Sequence, residues 1–208
     1  AVNVLAAMVR RHYRAPHRMI CVTNDAAGID PSIEIVADRA DFATVASPHG
    51  APNPSCYRRL RMFAPDAAET FGERILSIDL DCVITGDLRP LWDRAGDFIA
   101  WADPLRAQYN GSMMLLRAGA RASVWDKFNP STSPREALAN RFVGSDQGWI
   151  SYCLHGERVW SAGDGVLSYR FNHCTQALPH GARVVMFHGA VKPWEKQAAP
   201  WVRDHWKV

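Results

Sequence analysis

Val4, Leu5, Met8 and Val9 recur at helical spacing and Arg10, Arg11 and Arg14 follow, which predicts a helix over residues 2–14 with its basic end at the negative pole of the helix dipole. Pro16 ends that helix. Residues 18–23 (RMICVT) then read as a buried strand, 24–30 (NDAAGID) as a turn, and 33–37 as a second short strand. Prolines in 47–54 (SPHGAPNP) remove backbone donors and block helical geometry, so that stretch reads as a loop. Ser55 is a candidate cap for a helix carrying Tyr57, Leu60 and Phe63. Residues 74–78 (RILSI) predict a strand, as do 98–102, 112–116 and 183–187. Ser133-Pro134 has the order of a helix start, with a capping hydroxyl before proline. Asp146 is a candidate cap for a helix that turns Trp149, Ile150 and Cys153 inward, and a last helix starts near Pro200. Trp92, Trp125 and Trp149 fall in helical apolar patterns and are expected in the core, while Trp201 and Trp206 are expected to pack the last helix. Strands mixed with helices, without a repeat or linker, indicate one α/β domain.

Composition narrows the function classes. The chain has 208 residues, 48% of them hydrophobic and 22% charged, which is globular and excludes intrinsic disorder. Apolar runs such as 113–116 fall far short of a bilayer span, and the basic cluster after the first apolar stretch reverses the order of a secretory signal. A net charge of +3 is too weak to argue for nucleic acid, and Arg10, Arg11, Arg14 and Arg18 read as a solvated helix end. Five cysteines, an odd number without a CxxC pair, exclude a zinc ribbon and point to free thiols in a reducing, cytoplasmic setting.

The sharpest chemical signal is Asp79-Leu80-Asp81. Two aspartates two residues apart in extended chain project to one side, at the C-terminal end of the strand 74–78. Open α/β sheets bind ligands at such ends. Two close carboxylates repel unless a cation separates them, and oxygen ligands suit Mg²⁺ or Mn²⁺. The competing reading is a helix cap beside a solvated turn aspartate, but the chain continues Cys82-Val83-Ile84 and no helix starts there.

Two families carry such a pair. Asp79-Leu80-Asp81-Cys82-Val83 fits the DxDx(T/V) string of haloacid-dehalogenase-like phosphatases, whose motif sits on the first strand and needs a later lysine and acidic pair; no GDxxxD follows here. From about Ser55 to Glu195 the chain resembles the glycogenin-like and lipopolysaccharide galactosyltransferase-like enzymes of glycosyltransferase family eight. Cys56-Tyr57-Arg58-Arg59-Leu60 resembles their basic helix, residues 75–92 (ILSIDLDCVITGDLRPLW) their metal-strand block, Tyr109-Asn110-Gly111-Ser112 their "fNsGv" and Ser145-Asp146-Gln147 their "gDQ". His188-Gly189-Ala190-Val191-Lys192-Pro193-Trp194 resembles their closing "G..KPW".

The resemblance implies a single α/β domain over 1–208 of GT-A type, a mixed, mostly parallel sheet flanked by helices, and a retaining, metal-dependent transferase. Its partners would be a UDP-linked nucleotide-sugar donor and a carbohydrate, lipid-linked or protein acceptor, with no nucleic acid and no membrane span. A non-catalytic nucleotide-sugar-binding member is the alternative. Asp79 and Asp81 would hold Mn²⁺ or Mg²⁺, which stabilises a diphosphate leaving group. Lys192 and Gly189 would meet its phosphates; Arg59, Leu80, Asp103 and Asn110 would contact the donor; Asp146 and Gln147 would be the catalytic pair. Glutamine is too weak a nucleophile for a covalent route, which fits front-side transfer in which the leaving phosphate takes the acceptor's proton.

Two departures stand out. The resembling enzymes read "HFxGxxKPW", and here Met186 holds the place of the ligand histidine. A thioether is a poor ligand for these hard cations. His188, two residues on and about 6–7 Å further along an extended segment, is the remaining metal candidate. The chain also opens on a helix, where a GT-A domain opens with an interior strand, so that strand is expected to be missing or replaced. On the metal-dependent reading that the resemblance implies, Asp79→Asn and Asp81→Asn should each cost orders of magnitude in turnover while the fold persists. A sharp loss of thermal stability in both variants would instead make the pair structural.

Overall fold

The computed structural model describes residues 1–46 and 55–208, so the loop read over 47–54 lies outside the described residues. The strands in chain order are β1 (Ile20–Val22), β2 (Glu34–Val36), β3 (Arg74–Ile78), β4 (Cys82–Ile84), β5 (Phe98–Ala102), β6 (Tyr109–Arg117), β7 (Arg158–Trp160), β8 (Val166–Ser168) and β9 (Val184–Met186). The helices are α1 (Val2–His12), α2 (Ala67–Phe71), α3 (Arg89–Trp92), α4 (Ser123–Asp126), α5 (Ser133–Ala139), α6 (Asp146–Cys153) and α7 (Val202–His205), with a 3₁₀ segment over Cys56–Phe63. The class is mixed α/β, as the pattern predicts. The chain divides into two compact units, Ala1–Ala37 with Ile78–Ala95 and Trp160–Val208, and Asp38–Ser77 with Gly96–Val159.

The first unit is built on β9. It pairs antiparallel with β4, Val83 opposite Val185, and parallel with β8, Leu167 opposite Val185. All nine residues of these strands are buried and all but Ser168 are apolar, so they do not show a polar and apolar alternation. α1 lays Leu5, Met8 and Val9 against the core, and Met8 Sδ accepts a 3.4 Å hydrogen bond from Ile84 N. The helix stops at His12, two residues short of the predicted end, because Tyr13 turns extended. β1 pairs in parallel with β2 in a two-stranded sheet. This strand was expected to be buried, yet Val22 is 51% exposed and Arg18 pairs with Glu34 at its start.

The second unit holds the sheet β3-β6-β5-β7, apart from the last residues of β3 and β7. β5 and β6 are antiparallel, and their register jumps. Ala100 faces Met114 but Trp101 faces Asn110, so Gly111, Ser112 and Met113 bulge from the ladder. Phe98, Met114, Leu116, Leu60, Phe63, Trp149 and Ile150 form one buried cluster beneath this sheet. Trp149 donates from its indole nitrogen to Val124 O at 2.8 Å, so its burial leaves no orphan donor.

Several local expectations shift by a residue. Cys56–Phe63 is a 3₁₀ segment and Ser55 makes no capping hydrogen bond. α5 begins at Ser133, with Thr132 before it, and Ser133 Oγ accepts instead from Asn129 N. α6 begins at Asp146 itself, with Ser145 in the cap position. Trp92 and Trp149 are buried and Trp125 is half-buried, while Trp201 directly precedes α7. All five thiols are free, and among the described residues no helix is long and apolar enough to cross a membrane.

Gly165, at φ +82°, turns the chain into β8, and its carbonyl accepts from both Arg183 N and Val184 N. A Cβ there would lie 2.5 Å from Gly181 O. Gly165→Ala should therefore cost about 1–3 kcal/mol in chemical denaturation, from left-handed strain plus a backbone clash. An unchanged midpoint would show that this turn has room to move.

Candidate functional site

Two groups of side chains gather the residues singled out by sequence, one group in each unit. In the first, Asp79, Leu80 and Asp81 form the bend between the end of β3 and the start of β4. Asp81 is fixed through its backbone, since Phe187 N donates to Asp81 O at 2.9 Å. Its carboxylate meets Lys192, whose Nζ lies 2.5 Å from Asp81 Oδ2 and 3.3 Å from Phe187 O. The repulsion expected between the two aspartates is thus offset at Asp81 by a side-chain cation. Both carboxylates lie near Cys82, whose thiol is pushed well above its ordinary range by burial first and by Asp79 and Asp81 next. Leu80 is 44% exposed.

Met186, at the place of the expected ligand histidine, is buried opposite Cys82. His188 follows two residues later and its Nε2 lies 2.7 Å from Ser168 Oγ. Among the described residues no group of three His, Cys, Asp or Glu side chains is placed to hold a metal ion, so Asp79, Asp81 and His188 are not gathered as a ligand set. Gly189 is exposed with φ +154°, and a Cβ there would come within 2.9 Å of Arg170 Cδ. The contacts of Ser168 and Arg170 with this segment carry no sequence signal, because they come from strand pairing alone.

In the second unit the β6 bulge presents Gly111 to three functional side chains. Arg59 donates from Nη1 to Gly111 O, and Gly111 N donates to Gln147 Oε1 at 3.2 Å. Arg59 Nε also lies 3.3 Å from Asp146 Oδ2. Asp146 is 4% exposed; its Oδ1 accepts from Ser145 Oγ at 2.9 Å. Its Oδ2 has no hydrogen bond despite the nearby guanidinium, because the approach is too oblique, and so is a buried acceptor facing a charge without a linear donor. Burial, and next the Asp146 charge, push the Tyr57 phenol up to about 12.

Asn110, paired with Trp101 just before the bulge, is buried, and its Oδ1 accepts from Ser112 N at 3.0 Å. Asp103 belongs to the β5–β6 turn, where its Oδ1 accepts from Leu105 N and Arg106 N, a local turn arrangement. Gly144 was not singled out by sequence, yet at φ +108° its bare Cα lets Gln147 lie across it: a Cβ would stand 2.9 Å from Gln147 Cγ. Its one sequence cue is that it directly precedes the Ser145-Asp146-Gln147 segment.

No protein-family model matches the sequence, and no curated protein matches it significantly. Solved structures do. Galactosyltransferase LgtC, in complex with donor and acceptor sugar analogues, aligns over 95% of this chain and 86% of its own, with TM-score 0.65 and 17% identity. An active-site glutamine-to-glutamate mutant of LgtC aligns over 98% and 88%, with TM-score 0.63 and 15% identity. The glycosyltransferase GlyE of Streptococcus pneumoniae TIGR4 aligns over 94% of this chain and 53% of its own, with TM-score 0.58 and 13% identity. The fold is that of the GT-A glycosyltransferases. The family-eight resemblance read from the motifs therefore has a matching architecture, and the neighbours are transferases rather than phosphatases.

Arg59 and Asp146 should be energetically coupled. Removing the cation in Arg59→Met leaves a nearly buried carboxylate and should cost about 1–3 kcal/mol in urea denaturation. Adding Asp146→Asn should recover part of that loss, with a coupling of about 1 kcal/mol or more across the double-mutant cycle. Additive losses would mean that the pair is adjacent but does not hold the cluster together.

Proposed function

We propose that this protein is a retaining glycosyltransferase that moves a sugar from a nucleotide-sugar donor, UDP-linked, to an acceptor hydroxyl. The observation that carries the reading is the Arg59–Gly111–Asp146–Gln147 cluster in a GT-A fold. It holds a buried carboxylate oxygen with no hydrogen-bond donor and a carboxamide fixed beside it. A sugar hydroxyl supplies the donor that Asp146 Oδ2 lacks. Gln147 offers a neutral dipole that steadies positive charge at the sugar carbon. LgtC is a galactosyltransferase with an active-site glutamine, and its likeness in fold supports giving Gln147 that place.

The transfer is a front-side displacement on this reading. The bond between the anomeric carbon and the phosphate oxygen breaks, its electron pair stays on that oxygen, and the acceptor oxygen bonds the carbon from the same face. The departing phosphate oxygen takes the acceptor's proton, so no protein base is needed and configuration is kept. On this reading Asp146 and Asn110 orient the donor sugar, Arg59 holds Asp146 and the bulge in place, and Lys192 neutralises phosphate charge. Leu80, Gly189 and Asp103 stand as further donor contacts. The acceptor is a carbohydrate, lipid-linked or protein hydroxyl.

A divalent cation is the cofactor that the family resemblance implies. Asp79 and Asp81 are the right kind of oxygen donors for Mn²⁺ or Mg²⁺. The remaining residues do not fit such a site. Lys192 already sits on Asp81, Met186 stands where an imidazole is expected, and His188 is engaged with Ser168.

Incubation with a panel of UDP-sugars and simple acceptors, followed by NMR of the product's anomeric signal, tests the activity. Transfer with retention is expected, and Gln147→Ala should lower kcat by tenfold or more with little change in donor KM. Binding of UDP-sugars without hydrolysis or transfer would favour the non-catalytic member. Inverted product would overturn the front-side step.

A further inference from the structure

β8 and β9 are parallel neighbours in register, Ser168 opposite Met186, so the chain leaves both strands at the same edge of the sheet. The residues that follow carry two cations to that edge. Arg170 comes two residues after β8, and its side chain lies against Gly189, three residues after β9. Lys192 comes three residues later and reaches back to Asp81 and Phe187 O. The edge is where parallel α/β strands place ligands.

Both cations retain capacity for an anion. An ammonium has three N–H donors, and Lys192 spends two on Asp81 Oδ2 and Phe187 O. Arg170 is exposed, lies with its guanidinium carbon 5.0 Å from the Phe171 ring centre, and among the described residues is in no ion pair within 4.0 Å. Gly189 between them has no side chain, and the Arg170 side chain lies over it in the space that a Cβ would occupy, which keeps Arg170 beside the segment that carries Lys192.

We propose that Lys192 and Arg170 together supply the positive charge that neutralises the donor's diphosphate, so that donor binding does not require a divalent cation. This rests on the nucleotide-sugar reading above and adds to it the identity of the cations. Asp81 is a positioning residue: it holds the Lys192 ammonium, which stands against the carboxylate that a metal would need. As the bond to the sugar breaks, the extra negative charge falls on the phosphate oxygen that Lys192 and Arg170 face. Arg170 is thereby a donor-binding residue that the motif resemblance does not mark.

Isothermal titration with UDP, on protein stripped with EDTA and then with Mn²⁺ added back, separates the possibilities. UDP should bind in EDTA, with affinity changed by no more than about threefold on adding Mn²⁺. Lys192→Gln and Arg170→Gln should each weaken UDP binding by about tenfold or more in EDTA, the scale of one lost charge-assisted hydrogen bond. Arg170 is exposed, so Arg170→Gln should keep the wild-type melting temperature even if Lys192→Gln does not. UDP binding that appears only with Mn²⁺, or that Arg170→Gln leaves unchanged, overturns the proposal while the transferase reading stands. No UDP binding in either condition overturns that reading and this one together.

Discussion

Strand β9 is the element on which the first unit's chemistry depends. It is buried between β4 on one side and β8 on the other, and its three residues fix both neighbours by backbone hydrogen bonds. Because β4 runs antiparallel to it, the residues just before β4 stand beside the residues just after β9. That is why Asp81 meets Phe187 and Lys192, more than a hundred positions apart in sequence. Because β8 runs parallel to it, Ser168 meets His188 and Arg170 meets Gly189. A substitution that disturbed β9 would move all of these contacts together.

The second unit solves a different problem, which is how to bury a carboxylate. Asp146 opens α6, where the helix dipole favours negative charge, and it gains a hydroxyl from Ser145 and a guanidinium from Arg59. The bulge in β6 brings Gly111 into the same cluster, and Gly111 ties Arg59 to Gln147 through its own carbonyl and amide. A bulge costs ladder hydrogen bonds, and here its residues are used to hold side chains rather than a partner strand. Within this cluster Asp146 Oδ2 is left without a linear donor, although the Arg59 guanidinium lies beside it.

Identity of 17% to a structure with TM-score 0.65 shows how loosely such a fold constrains its residues. Core positions accept many apolar side chains of suitable volume, so sequence can drift far while sheet order persists. The motif segments drift less freely only where chemistry needs a particular group. Met186, at the place where the resemblance puts a ligand histidine, is therefore a chemical difference within a similar fold.

The sequence by itself determined the elements with a strong local signal. α1, β3, β5, β9 and α6 follow from apolar spacing and punctuation, and the mixed α/β class follows from their alternation. It also singled out the residues proposed to carry chemistry: the Asp79/Asp81 pair, the Asp146-Gln147 pair, and the glycine and lysine after the last strand. Three-residue strands such as β4 and β8 were not legible, since three buried residues are too few to show a period. Burial of β1 was misjudged, because an apolar run states that a segment can be covered but not that anything covers it. Only the tertiary structure decided the pairings: Lys192 on Asp81, His188 on Ser168, Arg170 on Gly189, Arg59 on Asp146. Each is a contact between segments far apart in the chain, set by strand register and a bulge, and register is a property of two strands at once that neither strand's sequence contains.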